Sequence, residues 1–320
     1  MEKDLIVNKF KKVNAAIIYK LLIKTCHIDN RVIGRIWNYC WNYFVKNVNG
    51  DTYIKIHGTR VKVNIGYTYP IYSKRFKYLN SPLVELVYQV GVKKARPITL
   101  IDVGAAIGDT AFLVLDKCDN LIENIICLDG DEEFSQYLIS NTNENAKIQV
   151  IISMLSEDDG ETKSLTRIHS GTASAQGDKL VKSNTLDHLM ERADPKNIDV
   201  LKIDVDGFDG LVLKGSRVLI SKFKPAIIFE WHPKLCIETG NNYIDHFSVL
   251  INLEYDRFLW YNKYGYFSFF TDSHFDLERI AELSKNSVND WHYDVVSLHK
   301  SDPINIQNLV DMRFTHLGLK

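Results

Sequence analysis

The sequence contains no pair of cysteines at Cys-x-x-Cys spacing. Its five, Cys26, Cys40, Cys118, Cys127 and Cys236, are scattered along the chain, which excludes a zinc ribbon or a disulfide framework and reads as reduced structural thiols of a cytoplasmic protein. An excess of either charge is also missing: 39 Lys and Arg against 40 Asp and Glu leave a formal net charge of -1. No global field therefore draws the chain to nucleic acid. No run approaches the roughly 18 consecutive apolar residues of a membrane-spanning helix, and the start Met-Glu-Lys-Asp lacks the layout of a signal peptide. Neither Pro (7) nor Gly (17) is abundant enough over 320 residues to mark disorder, and no repeat or low-complexity tract appears. What remains, 45% hydrophobic and 25% charged, is a compact globular chain near the size at which one core begins to split in two.

From Lys9 to Val48 apolar residues recur at helical spacing (Phe10, Val13, Ile17, Leu21, then Ile33, Ile36, Trp37, Cys40, Trp41, Phe44), beside Lys11, Lys12, Lys20 and Lys24. This predicts two basic amphipathic helices broken near Asp29-Asn30. Packing on their own domain is the ordinary use of such helices, and peripheral contact with a membrane surface is the other. Asn49-Gly50-Asp51 and the alternation through Tyr53 to Val63 predict a β-hairpin, and Ser81 to Val92 a helix. Residues 1–80 thus read as an N-terminal extension and 81–320 as the main domain.

From residue 98 the pattern changes to short apolar runs separated by helical stretches: Ile98 to Val103, Ile125 to Asp129, Ile148 to Ile152, Val200 to Asp204 and Ala226 to Glu230. Strands of this kind belong to a parallel sheet covered on both faces. Arg257 to Tyr261, Tyr266 to Phe270 and Val295 to Leu298 supply later strands, including an antiparallel edge. The fold class is α/β, doubly wound and mostly parallel.

Three runs end in acids, at Asp102, Asp129 and Asp204. In an open α/β sheet, ligands bind just beyond the C-terminal strand ends, so repeated carboxylates there point to one crevice, although any one of them could cap a helix. Gly104 and Gly108 follow the first core strand, where small residues let backbone approach a ligand. The spacing Gly-Ala-Ala-Ile-Gly lacks the Gly-x-Gly-x-x-Gly of a dinucleotide site, and Asp102 before the turn suits a cationic cofactor better than a pyrophosphate. Asp129 stands where an acid accepts from a ribose diol.

Ile101 to Gly108 resembles motif I of class I, Rossmann-like methyltransferases. Asn184-Thr-Leu-Asp-His-Leu189, Ile198 to Gly215 and Pro225-Ala-Ile-Ile-Phe-Glu-Trp-His232 resemble the FkbM family in order and spacing, over about residues 96 to 235. That family usually has Asn in place of Ala106, Glu-Pro in place of Asp129-Gly130, and Glu in place of Asp206 and Asp209. The resemblance implies S-adenosylmethionine as cofactor, with contacts at Asp102, Gly104, Ala105, Gly108, Asp129 and Ser153. It further implies methyl transfer to a hydroxyl of a sugar, glycan or glycosylated metabolite.

An alcohol needs a base to become a nucleophile near neutral pH. Asp204 and Asp206 on the fourth core strand end, and Glu230 and His232 on the fifth, are the candidates, with His232 also fitting a helix start before Pro233. In the related, metal-dependent macrocin O-methyltransferases carboxylates hold a metal at such positions, so Mg2+ shared by Asp204 and Glu230 stays undecided. The aromatic segment from Phe258 to Phe270 fits either a half-buried hairpin or a sugar platform. Ser170-Gly-Thr-Ala-Ser174 reads as a lid or a plain connection. Two rival functions remain: a nicotinamide-dependent oxidoreductase on the same fold, and a silent methyltransferase-like module in a glycan-assembly complex.

Overall fold

The computed structural model describes residues 2–28, 31–48, 50–163, 166–169, 172–174, 180–272, 275–286 and 291–311. Asp29-Asn30, where the sequence predicts the helix break, lie outside the described residues, as do Ser170 and Gly171 of the lid segment.

The chain opens with α1 (Glu2–Thr25) and α2 (Arg31–Asn47), the hairpin β1 (Asp51–Ile56) and β2 (Thr59–Asn64), and α3 (Tyr69–Arg75). Tyr19, Trp37, Val61, Val63 and Tyr67 bury together with Ile107, Phe112, Phe134 and Tyr137 of the main body. The buried polar tips are satisfied: Trp37 Nε1 donates to the Leu22 carbonyl at 2.9 Å and Tyr19 Oη to that of Tyr67 at 2.7 Å. Each such aromatic contributes about 1.5–3 kcal/mol of burial, and this is how the extension is held to the rest.

The main body follows with α4 (Ser81–Lys94), β3 (Ile98–Val103), α5 (Asp109–Cys118), β4 (Ile122–Asp129), α6 (Glu132–Thr142) and β5 (Ile148–Ile152). A set of short strands comes next: β6 (Met154–Leu155), β7 (Gly160–Lys163), β8 (Thr166–His169), β9 (Thr172–Ser174) and β10 (Leu180–Asn184). Then come α7 (Leu186–Ala193), β11 (Val200–Ile203), α8 (Asp209–Lys214), α9 (Arg217–Phe223), β12 (Ala226–Trp231), α10 (Pro233–Glu238) and α11 (Asp245–Asn252). The C-terminal part holds β13 (Tyr255–Asn262), β14 (Phe267–Thr271), α12 (Leu277–Asn286), β15 (Tyr293–His299) and α13 (Ile306–Asp311).

Eight strands form one sheet in the order β14-β13-β15-β12-β11-β3-β4-β5. β5, β4, β3, β11 and β12 run parallel, while β15 lies antiparallel between β12 and β13. The near-continuous apolar runs of β3, β4, β11 and β12 are largely buried because helices cover both faces, α4, α5 and α13 on one, α7 to α12 on the other, while β5 at the edge is only partly covered. The strand order reverses between β3 and β11, which opens the ligand crevice of a doubly wound sheet at their C-terminal ends. Among the described residues no helix is long and apolar enough to cross a membrane.

Candidate active site

A cavity of about 870 Å³ lies at that reversal. Its floor follows from strand register. Asp102 of β3 pairs with Lys202 of β11, and Glu230 of β12 pairs with Asp294 of β15. Each sits two residues from an apolar position buried against α4 and α5 (Leu100, Val200, Ile228, Val296). By the period of two along a strand, all four therefore point to the same face of the sheet.

Lys202 is the hub of this row. Its Nζ lies 2.9 Å from Asp102 Oδ1 and 3.5 Å from Asp204 Oδ2, and donates to the Gly104 carbonyl at 3.3 Å. Burial disfavours the ammonium, but Asp102 and Asp204 outweigh it and raise the lysine's pKa. Asp102 itself is fully buried beneath this lysine and does not reach the cavity wall.

The glycine turn is fixed by close approach. Gly104 holds φ +77°, and a Cβ there would fall onto the backbone carbonyl of Asp204, so only glycine lets the ends of β3 and β11 meet. Ala106 adopts φ +46°, a left-handed conformation that costs a non-glycine residue about 1 kcal/mol. Its N–H donates to Asp129 Oδ2 at 2.7 Å, while Oδ1 accepts from the Asp131 N–H at 2.8 Å. Asp129 thus clamps the turn while lining the cavity, and burial carries its carboxyl up to about 7 against those two hydrogen bonds. Ala105 and Gly108 lie behind the turn; Ala105 is fully buried and Gly108 begins α5. Ser153 lines the cavity and its hydroxyl accepts from Asn184 Nδ2 at 2.8 Å.

Across the cavity stand Asp204, Asp206, Glu230 and Asp294. Burial, and then the carboxylates of Asp204, Asp206, Asp209 and Asp294, push Glu230 well above the ordinary carboxyl range. Burial and Asp204 raise Asp294 to about 7 against the pull of Lys202. His292 Nε2 lies 3.3 Å from Glu230 Oε1. His232, by contrast, is absent from the wall: it is buried, its Nδ1 accepts from the Leu235 N–H at 3.2 Å as the cap of α10, and its ring stacks on His292.

The mouth joins three separate pieces of chain: Tyr69 and Tyr72 of α3, Lys263 and Tyr264 of the β13–β14 turn, and Trp291 beside His292 before β15. Gly265 locks the turn against the body, since a Cβ there would strike the Tyr78 carbonyl. In the rest of the aromatic segment Phe258, Trp260 and Tyr261 are fully buried core, while Tyr266 and Phe270 are exposed.

Sequence reasoning missed Lys202, Trp291, His292 and Asp294. Lys202 stands inside an otherwise apolar strand run, and that interruption was the available signal. Asp109 accepts from the Tyr67 hydroxyl at 2.5 Å, and burial raises it to about 6. Among the described residues no three His, Cys, Asp or Glu side chains are grouped to hold a metal ion.

A family model for the methyltransferase FkbM domain matches residues 102–266, from the buried strand-end acid to the mouth of the cavity. The chain belongs to the FkbM methyltransferase family. Among solved structures it is similar to the methyltransferase FkbM of Methylobacillus flagellatus KT, with 11% identity and a TM-score of 0.38, covering 91% of this chain and 60% of that one. It therefore spans 60% of that protein's length. An O-methyltransferase from Bacillus cereus in complex with SAH gives 14% identity and a TM-score of 0.38, over 69% of this chain and 80% of that one. The precorrin-6y C5,15-methyltransferase of Geobacter metallireducens GS-15 gives 9% and 0.38, over 69% and 86%. No curated protein matches the sequence.

Proposed function

We propose that this FkbM-family chain binds S-adenosylmethionine in the cavity and methylates a hydroxyl of a sugar, glycan or glycosylated metabolite. One observation carries the reading: the carboxylates of Asp129, Asp204, Asp206, Glu230 and Asp294 line a single cavity at the reversal of the sheet. The residues fit the cofactor. Gly104 brings bare backbone to the wall, Asp129 retains lone pairs for a ribose diol beyond the two N–H groups it accepts, and Phe134, Met154 and Leu155 offer an apolar slot beside it. The opposite carboxylates favour a cationic centre.

When bound, S-adenosylmethionine supplies an electrophilic methyl carbon. The chain's own task is to orient an acceptor hydroxyl and take its proton. Asp294, raised to about 7 by burial and Asp204, suits a general base, because proton transfer is most effective when the base titrates near the working pH, and Glu230, also raised by burial and neighbouring carboxylates, is its cross-strand partner. His292 holds one oxygen of Glu230 in place. Tyr69, Tyr72, Tyr264 and Trp291 give the mouth apolar faces with polar edges, as sugar rings require.

Calorimetry with S-adenosylmethionine, S-adenosylhomocysteine and NAD, followed by labelled methyl transfer to nucleotide sugars, lipid-linked sugars and oligosaccharides, tests this. Binding of NAD alone, or of none of the three, overturns the cofactor assignment. Transfer only to amines overturns the hydroxyl acceptor.

A further inference from the structure

The N-terminal unit has a surface that the catalytic cavity does not use. Along α2, Val32, Ile36, Tyr39 and Tyr43 recur at i, i+4, i+7 and i+11 and are 66%, 59%, 76% and 57% exposed. They form one stripe, about 130° round the helix from the buried Trp37. On α1, Ile17 and Leu21 are each 53% exposed. Stripes of this kind are rare on a surface meant for water alone.

The charge beside them is one-sided. Residues 5–50 hold eight Lys and Arg and a single acid, Asp29, in a chain whose net charge is -1. Beside α1 lies a second cavity, a groove of about 910 Å³ between α1, the β1–β2 hairpin and α3. Lys20, Lys24, Lys55, Arg60 and Lys74 line it with His57; among the described residues that line it none is Asp or Glu, and Asp116 lies beside Gly58 at its edge.

We propose that this unit docks the protein on an anionic lipid bilayer. The exposed apolar side chains enter the boundary of headgroups and acyl chains, with Tyr39 and Tyr43 suited to that zone, while Lys20 and Lys24, each three residues on from Ile17 and Leu21 of α1, meet the phosphates at the rim of the groove. Charge complementarity selects this occupant over an apolar protein partner. Exposed apolar side chains with clustered basic residues are the two signals that together give stable peripheral attachment. The helix α3 ties this surface to the site. Pro70, Ser73 and Lys74 face the groove and Tyr69 and Tyr72 the catalytic cavity, and the Tyr69 hydroxyl lies 2.7 Å from His57 Nε2 across the wall. A headgroup held in the groove is thus one helix away from the acceptor mouth.

The test is co-sedimentation of the full chain with vesicles of phosphatidylcholine alone and of phosphatidylcholine with about one third phosphatidylglycerol. The anionic vesicles alone should carry the protein down, and high salt should release it. Lys20→Ala and Lys24→Ala should each weaken partitioning about fivefold, and Ile36→Ser with Tyr39→Ser should weaken it at unchanged thermal stability. Equal sedimentation with neutral vesicles, none with anionic vesicles, or insensitivity to all of these variants overturns the proposal. Sedimentation equilibrium showing a dimer that Ile36→Ser dissolves, without vesicle binding, assigns the face to a second copy of the chain and overturns it as well.

Discussion

Replacing Lys202 by methionine removes the ammonium from the floor of the site while keeping most of its volume. The cost can be worked from its two partners. Asp204 keeps 48% of its side-chain surface in water, so it can turn outward, and its share of the loss is small. Asp102 has no exposed surface, and deleting the partner of a buried charge costs about 3–5 kcal/mol. Against the roughly 5–15 kcal/mol that holds a folded protein together, that is a large fraction. Urea unfolding followed by circular dichroism should show the midpoint of Lys202→Met falling at neutral pH with an unchanged slope. Lys202→Met combined with Asp102→Asn should recover most of the loss, because no buried charge is then left alone. A single variant within about 1 kcal/mol of the parent, or a double variant as weak as the single one, would refute the assignment of Lys202 as the hub.

Three further outcomes follow from the same geometry. Asp129→Ala should weaken cofactor binding by about 1.5–3 kcal/mol, or ten- to a hundredfold, in calorimetry; unchanged affinity moves the ribose contact elsewhere. Asp129 and Asp294 are raised to about 7 and Asp109 to about 6, so each contributes stability below its ordinary pKa that is lost as pH climbs through the raised value. The ligand-free protein should therefore weaken between about pH 4 and 7, and a cationic ligand should expel protons on binding near neutrality. Calorimetric enthalpies that do not vary with the ionisation heat of the buffer would contradict the proton release. Glu230→Gln and Asp294→Asn should lower kcat, by about 100- to 10,000-fold for whichever is the base. His232→Ala should cost about 1 kcal/mol of stability through the lost cap and leave kcat near normal; a kcat collapse without loss of stability would return His232 to the chemistry.

Much of the sheet was legible because parallel strands announce themselves. Ile98–Val103 and Ile148–Ile152 have the boundaries that the apolar runs predict, and the antiparallel C-terminal strands lie where the later runs placed them. The strand-end acids were legible for the same reason, since a carboxylate closing an apolar run marks the point where the strand leaves the core. What the sequence hides is which way each one turns. Asp102 and Asp204 look equivalent in their runs, yet Lys202 draws the first beneath the floor and leaves the second at the wall. His232 has the residue type and position of a base, but the N–H of Leu235 claims its ring nitrogen. Asp294 and His292 were unreadable because their meaning comes from pairing with Glu230 across some 60 residues of chain, a register no local pattern records.

The insertion of β15 between β12 and β13 has a consequence for biosynthesis. When the ribosome has finished Trp231 and then Asn262, those two strands present unpaired edges whose shared partner begins only at Tyr293. At about 5–20 residues per second the gap after β12 lasts several seconds, and apolar strand edges left open are templates for pairing with another chain. A nascent chain of this kind needs shielding late in its synthesis, and a truncation just before Tyr293 should yield aggregates rather than a smaller folded protein.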